Sequence, residues 1–199
     1  MSWMDELSTK DHVIIDGFIR EELFLEIRTF FLQRLPKFNQ AGIGTDARQQ
    51  IDKRVRGDFT HWLDRERDTG PEAFWALIDE CLFHFNRYCF LSLSSGEFHL
   101  AHYPSGGHYD RHLDQFENRN NRIISVVIYL NVDWQRGDGG ELEIFARDGS
   151  SFLVEPLGGR CVLFKSAEVP HAVHKALKSR YSLTGWLLHK PPGLGPILG

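Results

Sequence analysis

Cysteine is scarce in this chain of 199 residues: only Cys81, Cys89 and Cys161. Their number is odd and no CxxC pair occurs, so a disulfide framework is not expected, and a reducing cytoplasm fits thiols used as small core residues. Charge of one sign is also missing. A formal charge of -4 and a pI near 6.2 give no reason to expect a nucleic-acid or anionic membrane surface. No apolar run reaches the length of about 20 residues needed to cross a bilayer. The opening Met-Ser-Trp-Met-Asp-Glu-Leu is acidic and lacks a basic region followed by an apolar one, so no signal peptide is expected. Internal repeats are absent. At this length one domain is the default, with a substantial core.

What the chain does have is aromatic weight. Fifteen Phe and five Trp, within an ordinary 42% apolar and 25% charged composition, suit a β-sandwich or barrel packed by helices. His12–Phe18 predicts a short strand closed by Asp16-Gly17. Leu23, Phe24, Ile27, Phe30, Phe31 and Leu35 follow helical spacing over Glu21–Leu35, and Pro36 stops the run. The polar stretch Asn39–Arg56 predicts a mobile surface loop. A second helix is expected from Thr69-Gly70-Pro71-Glu72, with Phe74, Ile78, Cys81, Phe85 and Tyr88 on its buried face.

From Glu97 the period becomes strand-like. Expected strands are Phe98–Tyr103, Tyr109–Leu113, Arg122–Asn131, Glu141–Phe145, Ser151–Val154, Arg160–Phe164, Ala172–Lys175 and Tyr181–Leu188, with turns at Asp138-Gly139-Gly140 and Gly158-Gly159. Eight short strands at this spacing predict a mainly β fold with flanking α-helices, a double-sheet jelly roll buttressed by the N-terminal helices. The organisation expected is residues 1–96 as N-terminal strand, helices and a loop region, 97–190 as the jelly-roll core, and 191–199 as a loose Pro- and Gly-rich tail.

Chemistry concentrates in that core. His112 and Asp114 lie two apart, and residues so spaced on a strand share a face. With His171 they offer two imidazoles and a carboxylate, the set that leaves a ferrous ion open positions. A structural zinc site would need a fourth ligand, usually sulfur, and the nearest cysteine, Cys161, sits in a strand pattern that looks buried. Arg180, nine residues beyond His171, could ground an anionic cosubstrate. Spacing alone leaves rivals open: His108-Tyr109-Asp110 is also His-x-Asp, and His174 competes with His171. His12, His61, His84, His99 and His189 read as surface or hydrogen-bonded core histidines.

The run Tyr103-Pro104-Ser105-Gly106-Gly107-His108-Tyr109-Asp110-Arg111-His112-Leu113-Asp114 resembles the ligand segment of the iron(II)- and 2-oxoglutarate-dependent prolyl 4-hydroxylases, most of all the oxygen-sensing ones that act on hypoxia-inducible factor and their bacterial relatives. The similarity continues through Arg122, Ile128-Tyr129-Leu130-Asn131, Asp133-Trp134, Gly139-Gly140-Glu141-Leu142 and Ile144-Phe145. It resumes at Glu155-Pro156, Gly159-Arg160, Leu163-Phe164, Pro170-His171-Ala172-Val173 and Arg180-Tyr181-Ser182-Leu183-Thr184-Gly185-Trp186. Upstream, Arg56-Gly57-Asp58 and Trp62 resemble that subgroup's substrate-loop region.

The resemblance implies a double-stranded β-helix (cupin-like) core and selects His112, Asp114 and His171 as Fe(II) ligands. It implies that Arg180 holds the far carboxylate of 2-oxoglutarate, that Tyr129 donates its hydroxyl to the same carboxylate, and that Tyr103 donates near the metal. Thr184, Val173 and Leu142 would line the cosubstrate pocket. Arg122, Trp186, Arg56, Asp58 and Tyr109 would face the substrate. The implied reaction is O2-dependent hydroxylation of a prolyl residue at C4, with release of succinate and CO2 and with ascorbate as a candidate accessory. A protein partner is implied, elongation factor Tu being the target of bacterial members, with no nucleic acid or membrane and a monomeric chain. Oxygen sensing rests on the resemblance alone. Two other readings stand beside it: a 2-oxoglutarate oxygenase acting on another side chain, a free amino acid or a small metabolite, and a non-catalytic jelly-roll binding module.

Overall fold

The structure, a computed structural model, describes residues 3–42, 54–68, 72–115 and 121–189. Three helices precede the main run of strands: α1 Trp3–Lys10, α2 Glu21–Arg34, continued by a 3-10 turn Leu35–Lys37, and α3 Glu72–Cys89. Eleven strands are β1 His12–Ile15, β2 Asn39–Gln40, β3 Phe59–Trp62, β4 Leu93–Tyr103, β5 Tyr109–His112, β6 Arg122–Tyr129, β7 Leu142–Phe145, β8 Ser151–Val154, β9 Cys161–Lys165, β10 His171–Val173 and β11 Arg180–His189. They form a seven-stranded antiparallel sheet, β1-β9-β6-β11-β4-β3-β2, opposite a four-stranded sheet, β5-β10-β7-β8. This is the expected jelly roll.

Strand alternation divides the large sheet's two faces between two cores. Phe98, Leu100, Ile124, Val126, Ile128, Cys161, Leu163, Leu183 and Leu187 point to the helices, where they join Ile27, Phe31, Phe74, Ile78 and Phe85. Ala101, Tyr103, Val127, Tyr129, Val162 and Phe164 point the other way and meet Leu142, Ile144, Val154 and Val173 from the small sheet. Phe98 stands edge-on to Phe74 at 5.0 Å, which ties α3 to β4. The helices therefore cover the outer face and leave the space between the sheets to polar chemistry.

Several expectations need correction. Helix α1 shows no sequence signature because only Leu7 among its residues is buried. Asn39–Arg56 is not wholly a surface loop. Asn39–Gln40 pairs with β3, which itself adds to β4, and Asp58 just beyond the stretch is completely buried; residues 43–53 lie outside the described residues. So do the expected start of α3 at Thr69-Gly70-Pro71 and the tail from Pro191. Tyr88, assigned to the buried face of α3, is exposed, and Trp75 is buried instead, because the helix turns that position toward solvent. Among the described residues no helix is long and apolar enough to cross a membrane. All three cysteines are free thiols, and only Cys161 is fully buried.

Gly185 shows how tightly β11 fits. It pairs with Phe98 on one side and Val126 on the other, and a Cβ there would collide with the Glu97 carbonyl oxygen and the Phe98 ring. Gly185→Ala is expected to destabilise the fold by roughly 1–3 kcal/mol through overpacking. The check is a lowered urea midpoint with an unchanged m value.

Candidate active site

The small sheet brings the sequence-distant histidines together. Strands β5 and β10 pair antiparallel with His112 directly opposite His171, and the two rings lie 4.2 Å apart. Asp114 falls just past the end of β5 rather than on it, so shared strand face does not explain its placement. Its carboxylate reaches back to both rings, with Oδ1 3.6 Å from His112 Nε2 and Oδ2 3.7 Å from His171 Nε2. One donor atom from each residue lies within 4.8 Å of the others, the only such cluster among the described residues.

Backbone carbonyls fix the tautomers. His112 Nδ1 is 2.7 Å from the Asp110 carbonyl and His171 Nδ1 is 3.2 Å from the Val169 carbonyl, so each Nδ1–H donates outward and each Nε2 lone pair faces Asp114. The Asp114 carboxylate accepts from Ser125 Oγ at 2.6 Å, and Ser125 is hydrogen-bonded to Ser166 at 2.8 Å, all within the interior. Burial pushes the Asp114 carboxyl upward, but the neighbouring His171 and His112 and the Ser125 hydrogen bond prevail, and its pKa is held far below the usual carboxylate range. Burial lowers His171 to about 4, with Asp114 opposing. The site thus offers an anionic carboxylate and a neutral imidazole at neutral pH, the protonation states a divalent cation requires.

The rivals take other roles. His108 Nε2 contacts the Arg54 carbonyl, His174 pairs with Glu143 at the surface, and Asp110 serves His112 through its main chain while its side chain is exposed. Tyr109 stacks on the His112 ring at 3.6 Å and carries the Arg56 guanidinium 4.6 Å from its own ring. Arg56 in turn forms a bidentate pair with the buried Asp58, at 2.6 and 2.9 Å. A solvated charged loop at these two residues is therefore ruled out.

Arg180 lies deeper between the sheets and is 2% exposed. Its Nε donates to the Gly140 carbonyl at 2.8 Å and Nη1 to Ser182 Oγ at 3.3 Å, but among the described residues it has no carboxylate partner. The rings of Tyr103 and Tyr129 lie 4.8 and 5.0 Å from its guanidinium carbon, and the buried Tyr129 hydroxyl, which feels the Arg180 charge, has no partner at hydrogen-bond geometry among the described residues. Gly140, at φ +79°, is required here because a side chain would strike Arg180 Cδ. Thr184 contacts Ser182, and Leu142 and Val173 line the same inner core. A buried cation beside an unpaired hydroxyl, with no carboxylate against it among the described residues, calls for an anion.

Arg122 and Trp186 sit nearer the Asp114 side. Arg122 is buried, not exposed at a strand entry. Its Nε bonds Glu97 at 2.7 Å, its guanidinium carbon lies 3.4 Å from the Trp186 ring centroid, and Nη1 reaches the Asp114 carbonyl at 3.4 Å. Sequence reading did not reach Ser125, Ser166, Glu97 or the structural duty of Gly140, because a lone serine or acid carries no spacing signal.

The sequence profile of the 2OG-Fe(II) oxygenase superfamily matches residues 98–188, the span that holds His112, Asp114, His171, Arg180, Tyr129, Arg122 and Trp186. A Pseudomonas putida prolyl-4-hydroxylase of known structure is 34% identical, with a TM-score of 0.85 over 94% of this chain and 97% of its own. The chain belongs to the 2OG-Fe(II) oxygenase superfamily. Superfamily membership agrees with the donor set, since two imidazoles and a carboxylate without thiolate suit ferrous iron with vacant positions for 2-oxoglutarate and O2. A prolyl hydroxylase from Trichoplax adhaerens, solved with a hypoxia inducible factor oxygen degradation domain peptide fragment, is 26% identical with a TM-score of 0.83, covering 94% of this chain and 87% of that one. Human prolyl hydroxylase EGLN3 is 34% identical over 70% of this chain and 62% of its own length. Human Egl nine homolog 1 is 29% identical over 87% of this chain, which spans only 42% of that relative.

Asp114→Ala is expected to abolish Mn(II) binding, and Ser125→Ala to weaken it about 10- to 100-fold by freeing the carboxylate; electron paramagnetic resonance titration checks both. A second expectation concerns pH. His171, near 4, and His99, which burial holds near 3, stay neutral in the folded chain while the unfolded chain takes up protons below about 6.5. Each therefore removes about 1.4 kcal/mol of stability per pH unit as pH falls from 6.5 toward its folded value. Denaturant midpoints of the metal-free protein between pH 7 and 5 test this.

Proposed function

We propose that the protein is a Fe(II)- and 2-oxoglutarate-dependent prolyl 4-hydroxylase acting on a protein substrate. The observation that carries this reading is the buried, carboxylate-free Arg180 with the orphaned Tyr129 hydroxyl, in the same inter-sheet space as His112, Asp114 and His171. The prolyl assignment draws on the similarity to the Pseudomonas putida enzyme along nearly the whole of both chains.

In this reading His112, Asp114 and His171 hold the metal on one side only. Ferrous iron, when bound, supplies the redox chemistry that couples decarboxylation of 2-oxoglutarate by O2 to hydroxylation of a C–H bond, leaving succinate and CO2. Ser125 and Ser166 keep the Asp114 carboxylate oriented. Arg180 grips the far carboxylate of the cosubstrate through its fixed fork, and Tyr129 donates its hydroxyl to the same group. Tyr103, whose hydroxyl burial holds protonated, supplies a further donor. Val173, Leu142 and Thr184 shape the pocket and keep water out. Arg122, Trp186, Tyr109 and the Arg56–Asp58 pair form the side that receives the target peptide. Because Arg56 is locked to Asp58 and stacked on Tyr109, it acts as a rigid wall beside His112 rather than as a free charge.

The proposed target is a prolyl residue of elongation factor Tu, and the proposed site of action is the cytoplasm, where three free thiols stay reduced. Succinate release with ferrous iron, on prolyl peptides from elongation factor Tu and on peptides of unrelated sequence, tests the reading. A +16 mass shift on proline is expected, and turnover confined to free amino acids or metabolites would overturn it. Arg180→Ala is expected to raise the 2-oxoglutarate KM at least ten-fold, since the cosubstrate carboxylate would be buried without a counterion at a cost of about 2–5 kcal/mol. An unchanged KM would remove Arg180 from the role.

A further inference from the structure

Strand β4 contributes one inner-face residue that the assignments above leave unused. His99 has the same parity as Ala101 and Tyr103, so it faces the small sheet and not the helices. It is 3% exposed and its Nδ1 has no hydrogen-bond partner. The ring forms a triangle with two tryptophans, Trp62 on β3 at 4.8 Å and Trp186 on β11 at 5.5 Å, and those two indoles stack on each other at 6.0 Å. Trp186 Nε1 is likewise buried and unpartnered. Arg122 covers the Trp186 ring and is already committed to Glu97. Trp62 is half exposed, so this aromatic cluster opens to solvent at β3 and closes toward Asp114 through Arg122.

Two buried polar atoms without partners among the described residues, on rings 5.5 Å apart on one inner wall, are costly to a fold, because each lost its water without gaining a bond. Indole N–H only donates, so its missing partner is an acceptor. A neutral imidazole offers one donor and one acceptor. We infer that His99 and the Trp186 indole N–H are a hydrogen-bonding pair that recognises the peptide backbone of the substrate beside the target proline, with Trp62 as the outer face of the same subsite. The inference rests on the prolyl hydroxylase reading and deepens it.

Backbone chemistry suits the pair better than a charged side chain. An extended peptide presents a carbonyl acceptor to the indole and a carbonyl or an amide to the imidazole. An anionic side chain would be drawn to the cations, but Arg56 and Arg122 are both already paired. Burial, with Arg56 and Arg122 adding to it, keeps His99 neutral, near pKa 3, so its role does not change with physiological pH. Flat indole faces at Trp62 and Trp186 accept apolar ring or aliphatic surface next to the bonded backbone. The expected specificity is therefore for an uncharged, extended segment around the proline.

The test compares wild type with His99→Leu, His99→Gln and Trp186→Phe on the prolyl peptide that wild type hydroxylates best, following proline mass shift. Absence of any hydroxylated peptide with wild type would defeat the prolyl hydroxylase reading itself, before the variants are considered. Given a wild-type substrate, His99→Leu and Trp186→Phe are expected to raise peptide KM about ten-fold each, with the 2-oxoglutarate KM moving less than two-fold, and His99→Gln, which can still hydrogen-bond, to recover most of the loss. Thermal midpoints add a readout that a packing role would move the other way. Removing an unsatisfied polar atom is expected to leave the midpoint of His99→Leu equal to or above that of wild type. Unchanged peptide KM in His99→Leu, or a lowered midpoint with His99→Gln failing to recover KM, would overturn the inference.

Discussion

A guanidinium sealed between two sheets with no carboxylate partner among the described residues is the constraint around which this molecule is arranged. A guanidinium does not lose its proton in proteins, so the cost of burying one cannot be relieved by deprotonation. The fold instead surrounds Arg180 with the Gly140 carbonyl, the Ser182 hydroxyl and two tyrosine rings, which soften the cost without cancelling the charge. Such an arrangement survives only because a large hydrophobic core on the opposite face of the same sheet supplies the stability. The two faces of β11 divide that labour residue by residue: Leu183 and Leu187 toward the helices, Arg180, Ser182, Thr184 and Trp186 toward the interior of the sandwich.

The His112, Asp114 and His171 cluster, which could hold a metal ion, follows a similar logic. Its three side chains come from two segments that are far apart in sequence and adjacent in the small sheet, and their orientation depends on partners outside the trio. Main-chain carbonyls of Asp110 and Val169 set the tautomers, and a serine pair from β6 and the end of β9 holds the carboxylate. Strand pairing alone would bring the rings close. The hydrogen bonds make their lone pairs converge, and convergence is what distinguishes a cation site from two neighbouring histidines.

Between these two centres and solvent lies a wall of aromatic and paired charged groups: Tyr109 with Arg56 and Asp58 on one side, Trp62, His99, Trp186, Arg122 and Glu97 on the other. Its cations are neutralised within the protein and its exposed ring faces are apolar. Affinity for a peptide would then come from shape, ring contact and backbone hydrogen bonds, with charge attraction contributing little.

Much of this was legible in the order of residues. Period-2 alternation from Glu97 onward located all eight core strands to within a few residues, and helical spacing with Pro36 bounded α2, because burial on one face leaves a periodic trace. Resemblance to the prolyl 4-hydroxylases singled out His112, Asp114, His171, Arg180 and Tyr129. Residues whose importance comes from a neighbour leave no such trace. Ser125 matters because Asp114 is 2.6 Å away, and Gly140, legible only as a turn residue, because Arg180 passes over it. His99 read from sequence as a surface or hydrogen-bonded core histidine, and only the sandwich shows its Nδ1 unpaired among the described residues, beside two indoles. Helix α1 and strands β2 and β3 escaped because each is short and buries at most one side chain, too few to make a period. Local pattern thus determined which segments alternate and which chemical types are present. The folded packing decided which polar atoms are satisfied, since hydrogen-bond partners and desolvation are properties of neighbours in space and not of neighbours in the chain.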